Sequence, residues 1–135
     1  MKCVLVIDRS LPLGLIANTA AVLALSLSRK AENLIGNDIV DGSGLTHLGI
    51  TRLPVPALAG DRDTLVALRN RLSEPSFGNI HVVGFTSLAQ GCKTYEEYSA
   101  KLGAATASDL HYLGLGLYGA KAKINQLTGS LPLLK

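Results

Sequence analysis

The chain opens on an apolar run, Lys2 to Asp8, whose two alternating sets are both hydrophobic: Cys3, Leu5 and Ile7 on one side, Val4 and Val6 on the other. A strand that is apolar on both faces is covered on both, the pattern of a central strand in an α/β sheet. A turn starting at Arg9 or Ser10 leads into a long apolar segment. Pro12 suits its first helical turn, where a missing N–H has no partner to lose. This helix is expected to run to about Ser28, with Arg29 and Lys30 at its negative end. Ala31 to Gly49 is polar and glycine-rich, with a strong turn at Asp41-Gly42-Ser43-Gly44. Short extended pieces are expected at Asp38–Val40 and Leu45–Leu53, with Pro54 and Pro56 ending the second.

The clearest helical period comes next. Asp61 is a good N-cap, Leu65, Leu68 and Leu72 share one face, and Pro75 stops the helix. Ile80–Phe85 reads as a short strand. Thr94-x-x-Glu97 is a capping box, followed by Tyr95, Tyr98 and Leu102 on one helical face. Asp109–Tyr118 is expected to be the last strand. One of its faces carries His111, Leu113, Leu115 and Leu117, and the other Tyr112, Gly114, Gly116 and Tyr118. The glycine side is shallow, so a helix can approach closely, and the alanine-rich first helix is the candidate. A final helix is expected over Ala120–Leu127, before Gly129. This alternation predicts a single domain, residues 1–135, of the α/β class: a three-layer α/β/α arrangement with a mixed sheet of about four strands.

Composition narrows the function classes. The chain has 135 residues, 47% of them hydrophobic and 17% charged, with a net charge of +3. That is enough apolar material for a core without staples and excludes intrinsic disorder. The basic residues are scattered and no basic face carries interleaved aromatics, so nucleic acid is not an expected partner. The uncharged stretch from Leu11 to Ser28 imitates a membrane span. Asp8 and Arg9 precede it, Asn18, Thr19, Ser26 and Ser28 interrupt it, and a strand already occupies the start of the chain. A helix covered by protein on most sides is expected instead, with no membrane partner. Cys3 and Cys92 are far apart and no close Cys/His spacing occurs, so no metal and no cofactor are expected, and the chain reads as reduced and cytoplasmic. Gly114-Leu-Gly116-Leu-Tyr-Gly119 matches the dinucleotide fingerprint. Only 120–135 follows it, without an acidic residue or room for a second strand, so these glycines are read as structural.

The candidate site lies at the carboxyl end of the first strand, where ligands bind in open α/β sheets. Asp8 and Ser10 stand there, able to cap the following helix or to face a ligand. Asn18 and Thr19 are polar positions in an apolar helix and need partners. Thr86, with Ser87 and Gln90, follows the strand ending at Phe85 and borders the same cleft if the two strands are parallel. His47, in the glycine-rich loop, is the exposed titrating group. Asp8, Ser10, Asn18, Thr19, His47 and Thr86 are therefore the candidate ligand-binding residues.

Both ends of the chain resemble peptidyl-tRNA hydrolase II. The opening Lys2-Cys-Val-Leu-Val-Ile-Asp-Arg-Ser-Leu-Pro-Leu-Gly-Leu-Ile-Ala-Asn-Thr-Ala-Ala21 is similar to that family's first strand and its Met-Gly-Lys-Gly-Lys-Ile-Ala-Ala-Gln-type helix start. Leu110 to Tyr118, followed by Ile124-Asn-Gln-Leu-Thr-Gly-Ser-Leu-Pro-Leu-Leu134, is similar to its closing strand and ending. The resemblance is closer still to an uncharacterised bacterial family of about this length with the same fold. It implies a peptidyl-tRNA hydrolase II-like architecture. On this alignment the hydrolase's two lysines fall on Leu13 and Leu15, its glutamine falls on Thr19, and its Asp-Ala-Gly-x-Thr segment falls near Thr86-Ser87 without the aspartate. Losing one charge-stabilising group typically costs about 10²–10³ in rate. The expectation is therefore a protein that binds a small molecule or a partner beside the first strand's end and lacks peptidyl-tRNA hydrolysis. Two alternatives stand beside it. One is a hydrolase with relocated catalytic groups drawn from Asp8, His47 and Thr86. The other is a structural or assembly subunit, for which a homo-oligomer is expected.

Overall fold

The computed structural model describes residues 1–135. β1 (Lys2–Asp8) lies inside a four-stranded mixed sheet with β4 (Ala57–Gly60), β5 (His81–Thr86) and β6 (Tyr112–Gly119), in the order β4-β1-β6-β5. β1 pairs parallel with β4 and antiparallel with β6, and β6 pairs antiparallel with β5. The carboxyl ends of β1, β4 and β5 therefore share one side of the sheet.

Helix α1 (Leu13–Ser28) covers one face, and α2 (Arg62–Leu72) with α5 (Lys121–Thr128) covers the other, the expected α/β architecture. The doubly apolar β1 feeds both cores. Cys3, Leu5 and Ile7 pack with Leu23 and Leu27, while Val4 and Val6 join Leu65, Leu68, Leu115, Leu117 and Ile124. Gly114 and Gly116 lie under α1, as their spacing predicts. A β-carbon at Gly114 would stand 2.9 Å from Thr19 Cγ2 and 3.1 Å from the Val6 carbonyl oxygen; one at Gly116 would stand 2.8 Å from Leu27 Cδ1 and 3.3 Å from Leu23 Cβ. The missing side chains set how closely the helix seats.

Several expectations are corrected. Helix α1 is not covered on most sides: Thr19, Leu23 and Leu27 are its only fully buried residues, and Leu13 and Leu25 face outward. It begins at Leu13 with Pro12 as the N-cap residue, and neither Asp8 nor Ser10 caps it. Between Asp38 and Leu53 the extended pieces reduce to a small hairpin, β2 (Ile39–Val40) with β3 (Thr46–His47), separate from the main sheet, and a single antiparallel bridge from Thr51 to Ile35. The parallel edge strand β4 has no sequence signal, because Ala57-Leu-Ala-Gly60 is too short and too small to show a period; β1 supplies its partner groups. The chain's end then covers the outer side of β4, where the Ala59 amide donates to the Pro132 carbonyl at 2.8 Å and the Leu134 amide to the Ala57 carbonyl at 2.9 Å. The last strand starts at Tyr112 rather than Asp109, whose carboxylate instead accepts from the Thr106 amide at 3.2 Å in a short turn.

The starts of α2 and α4 (Tyr95–Ala104) form as read, the second with one variation. Asp61 accepts from the Thr64 amide at 2.8 Å, and Thr94 Oγ1 accepts from the Glu97 amide at 3.1 Å. Glu97 reaches back one residue further than a capping box requires, accepting from the Lys93 amide at 3.2 Å. α3 (Ser87–Gln90) and α4 (Tyr95–Ala104) lie beyond the outer edge of β5. No helix is long and apolar enough to cross a membrane.

Candidate functional site

At the carboxyl end of β1, Asp8 is buried and its Oδ1 accepts from the Ser10 amide at 2.9 Å and the Ser10 hydroxyl at 2.7 Å. This closes a tight side-chain turn that carries the chain from strand to helix. Thr86 is buried at the end of β5, where its Oγ1 accepts from the Ala89 amide at 3.2 Å and starts α3. Asp8 and Thr86 stand on the same side of the sheet, with β6 between their strands. Two strand spacings put them about 10 Å apart. Thr19 is fully buried and donates to the Leu15 carbonyl at 2.7 Å, with its methyl against Gly114. Asn18 is exposed on the other side of the helix.

His47 does not join this group. The segment carrying it is tied at its base by hydrogen bonds between Gly36 and Ile50 and between Arg52 and Leu34, and it meets the sheet near Cys3, at the opposite end of β1. There His47 Nε2 lies 2.7 Å from Asp41 Oδ2. That contact, followed by the Leu45 and Ser43 amides, holds the Asp41 carboxyl below the usual carboxylate range. Asp8, His47 and Thr86 therefore do not converge as the parts of one catalytic centre would.

A separate recess lies along β5. A cleft of about 430 Å³ opens between α1, the outer edge of β5 and the α3–α4 segment. Val22, Val83, Phe85 and Ala89 form its apolar wall, and Ser26, Cys92, Lys93, Thr94, Tyr95 and Tyr98 bring polar atoms to it. Thr94 Oγ1 is engaged at the start of α4, and Cys92 Sγ donates to the Leu88 carbonyl at 3.1 Å. The Ser26, Tyr95 and Tyr98 hydroxyls and the Lys93 ammonium make no hydrogen bond within the chain. Burial, with Tyr95, Cys92 and Tyr112 nearby, pushes the Tyr98 phenol up, so it remains a hydrogen-bond donor at neutral pH. No carboxylate lines the cleft. Tyr98 also borders a smaller recess of about 210 Å³ on the other face of the sheet, lined in part by Thr86, Leu102 and Tyr112. α4 thus bridges the edge of β5 with Tyr98 at the partition, and none of its residues is fully buried.

The sequence places Tyr95 and Tyr98 together on one helix. Nothing in it links them to Ser26 across the edge of β5, because that proximity arises only from the antiparallel pairing of β5 with β6. Of the six candidate residues, Thr86 alone borders one of these two recesses.

A family model described as "Protein of unknown function (DUF2000)" matches residues 1–135. The chain belongs to the DUF2000 family. No curated protein matches it. Among solved structures it is similar to the protein of unknown function Atu0240 from Agrobacterium tumefaciens strain C58. The TM-score is 0.87 at 16% identity, over 98% of this chain and 96% of that one. At that identity the likeness speaks for the shared fold.

Proposed function

We propose that the protein binds a small molecule with an apolar body and an anionic or hydrogen-bond-accepting group in the cleft along β5, and that it does not hydrolyse peptidyl-tRNA. The observation that carries this reading is the chemistry of the cleft: an apolar wall, free hydroxyls from Ser26, Tyr95 and Tyr98, and Lys93 as the one charged residue lining it. Its volume lies within the range of small-molecule sites, in which a few placed polar groups orient an otherwise apolar ligand. Lys93 makes no ion pair within the chain, so a carboxylate or phosphate would meet an uncompensated cation there. The strand-end residues Asp8, Ser10, Thr19 and Thr86 shape the turns and the helix seat beside this region. Asn18 and His47 have no part in this cleft.

The absence of hydrolysis is supported by Leu13 and Leu15, which occupy the positions that the resemblance assigns to lysines. A turnover assay on N-blocked aminoacyl-tRNA is expected to stay at background, and a rate like that of a genuine hydrolase would overturn that part. For binding, calorimetry against a panel of aromatic and aliphatic carboxylates and phosphates is expected to find a ligand. Tyr98→Phe and Lys93→Glu should each weaken it at least about tenfold, the worth of one charge-assisted or buried hydrogen bond. The same ligand should protect Cys92 from alkylation. No binder in the panel, or binding indifferent to both substitutions, would overturn the proposal. An assembly role rests on a different surface, the apolar arm and groove around Ile35.

A further inference from the structure

The surface around the small hairpin is unusually apolar. Leu25 on α1 and Ile35, Ile39, Val40, Leu45, Leu48 and Ile50 on the hairpin and its base are each more than half exposed, from 53% at Ile35 to 80% at Leu48. Between the two groups lies a groove of about 500 Å³ with Ala21, Ala24 and Leu25 on one wall, Leu34 and Ile35 on the other, and Cys3 at its floor. A projecting apolar arm and an apolar groove thus stand side by side on one molecule, sharing Ile35.

We infer that this face binds a second copy of the chain, with the hairpin arm of each protomer seated in the groove of its partner. Three observations select a copy over another occupant. Arm and groove have matching chemistry, so one two-fold operation covers both at once, as an isologous interface requires. A two-fold also brings residues near the axis against their own copies, where any charge meets its like. Helix α1, which forms one wall, has no charged residue along its sixteen positions. The third observation is area. At roughly 60–120 Å² per aliphatic side chain, these seven residues expose on the order of 500 Å². Doubled across two copies that approaches the ~1,000 Å² that a specific interface must clear, before any small residue or backbone is added.

Sedimentation equilibrium on the full chain, from about 1 to 100 μM, tests this. The wild type should move from the 14.1 kDa monomer toward twice that mass. Leu25→Glu in the groove and Leu48→Lys on the arm should each weaken association at least about 30-fold, as loss of a central apolar contact does. Both positions are exposed, so melting of the dilute variants should match the dilute wild type, and this separates lost association from lost folding. Mixing the two variants should restore dimers, because one arm–groove contact is then intact and the other pairs Lys with Glu. A wild type that stays monomeric throughout would leave the groove to some other occupant and overturn the inference. So would dimers unaffected by both substitutions, or variants that fail to recover on mixing.

Discussion

Two leucines on opposite sides of helix α1 have opposite fates. On the inner side Leu23 is fully buried. On the outer side Leu25, two residues away, remains 74% exposed. Hydrophobicity cannot separate them, since both are leucines in one uncharged helix. The difference is made by what lies opposite. The inner side meets the glycine lane of β6, where absent side chains leave room for Thr19, Leu23 and Leu27, while the outer side meets nothing on its own chain beyond the groove wall at Leu34, Ile35 and Val55. Burial is therefore set by a complementary surface, and an apolar face without one is available to another molecule.

Truncating each side should show the largest contrast. Leu23→Ala should lower stability by about 2–5 kcal/mol through lost burial and a cavity. Leu25→Ala should stay within about 0.5 kcal/mol in dilute protein. Denaturant melts of the two variants measure this directly, and equal losses would erase the distinction between the two sides. Filling the lane tests it from the strand. Gly116→Val should cost about 1–3 kcal/mol by overpacking. Gly114→Val should cost more than Gly116→Val, because its neighbours are the stiff Thr19 side chain and a backbone carbonyl rather than the mobile end of Leu27. Combining Gly116→Val with Leu27→Ala should cost less than the sum of the two, and simple additivity would show that they do not share space.

Asp8→Ala should cost about 1–2 kcal/mol, because the Ser10 amide and hydroxyl lose their shared acceptor. It should leave ligand affinity in the β5 cleft unchanged, and a large loss of affinity would move the binding site to the strand end. The smallest effect belongs to the hairpin arm. Asp41 has its folded pKa lowered first by His47 and then by backbone amides, so its contribution is present above the ordinary carboxylate pKa and is lost as pH falls through the lowered value. Acidification below about pH 4 should loosen the arm in the wild type. Asp41→Asn should lack that acid-dependent step, as followed by the exchange of the Ser43 and Leu45 amides.

Much of the fold was legible because local rules and global packing agree. The doubly apolar β1, the leucine face of α2 with its Asp61 cap and the glycine face of β6 each carry their signal within a few residues. The candidate site was less legible. Asp8 and Thr86 do reach the same side of the sheet, but their polar atoms are turned inward to close a turn and start a helix. For His47 the sequence signals only exposure, and exposure carries no information about which end of the sheet a loop occupies.

What the sequence by itself determined is the set of elements with strong periodicity and caps, and the one close helix–strand contact that Gly114 and Gly116 require. These depend on neighbours within a turn or two, where spacing alone fixes which side chains share a face. The tertiary structure decided the rest. It recruited Ala57–Gly60 as an edge strand, covered that strand with the chain's end, and brought Ser26 of α1 beside Tyr98 of α4. It also left the outer side of α1 and the hairpin without a partner in their own chain. Each of these outcomes depends on pairings between residues tens of positions apart, and no local pattern of hydrophobic and polar positions encodes which distant surface arrives.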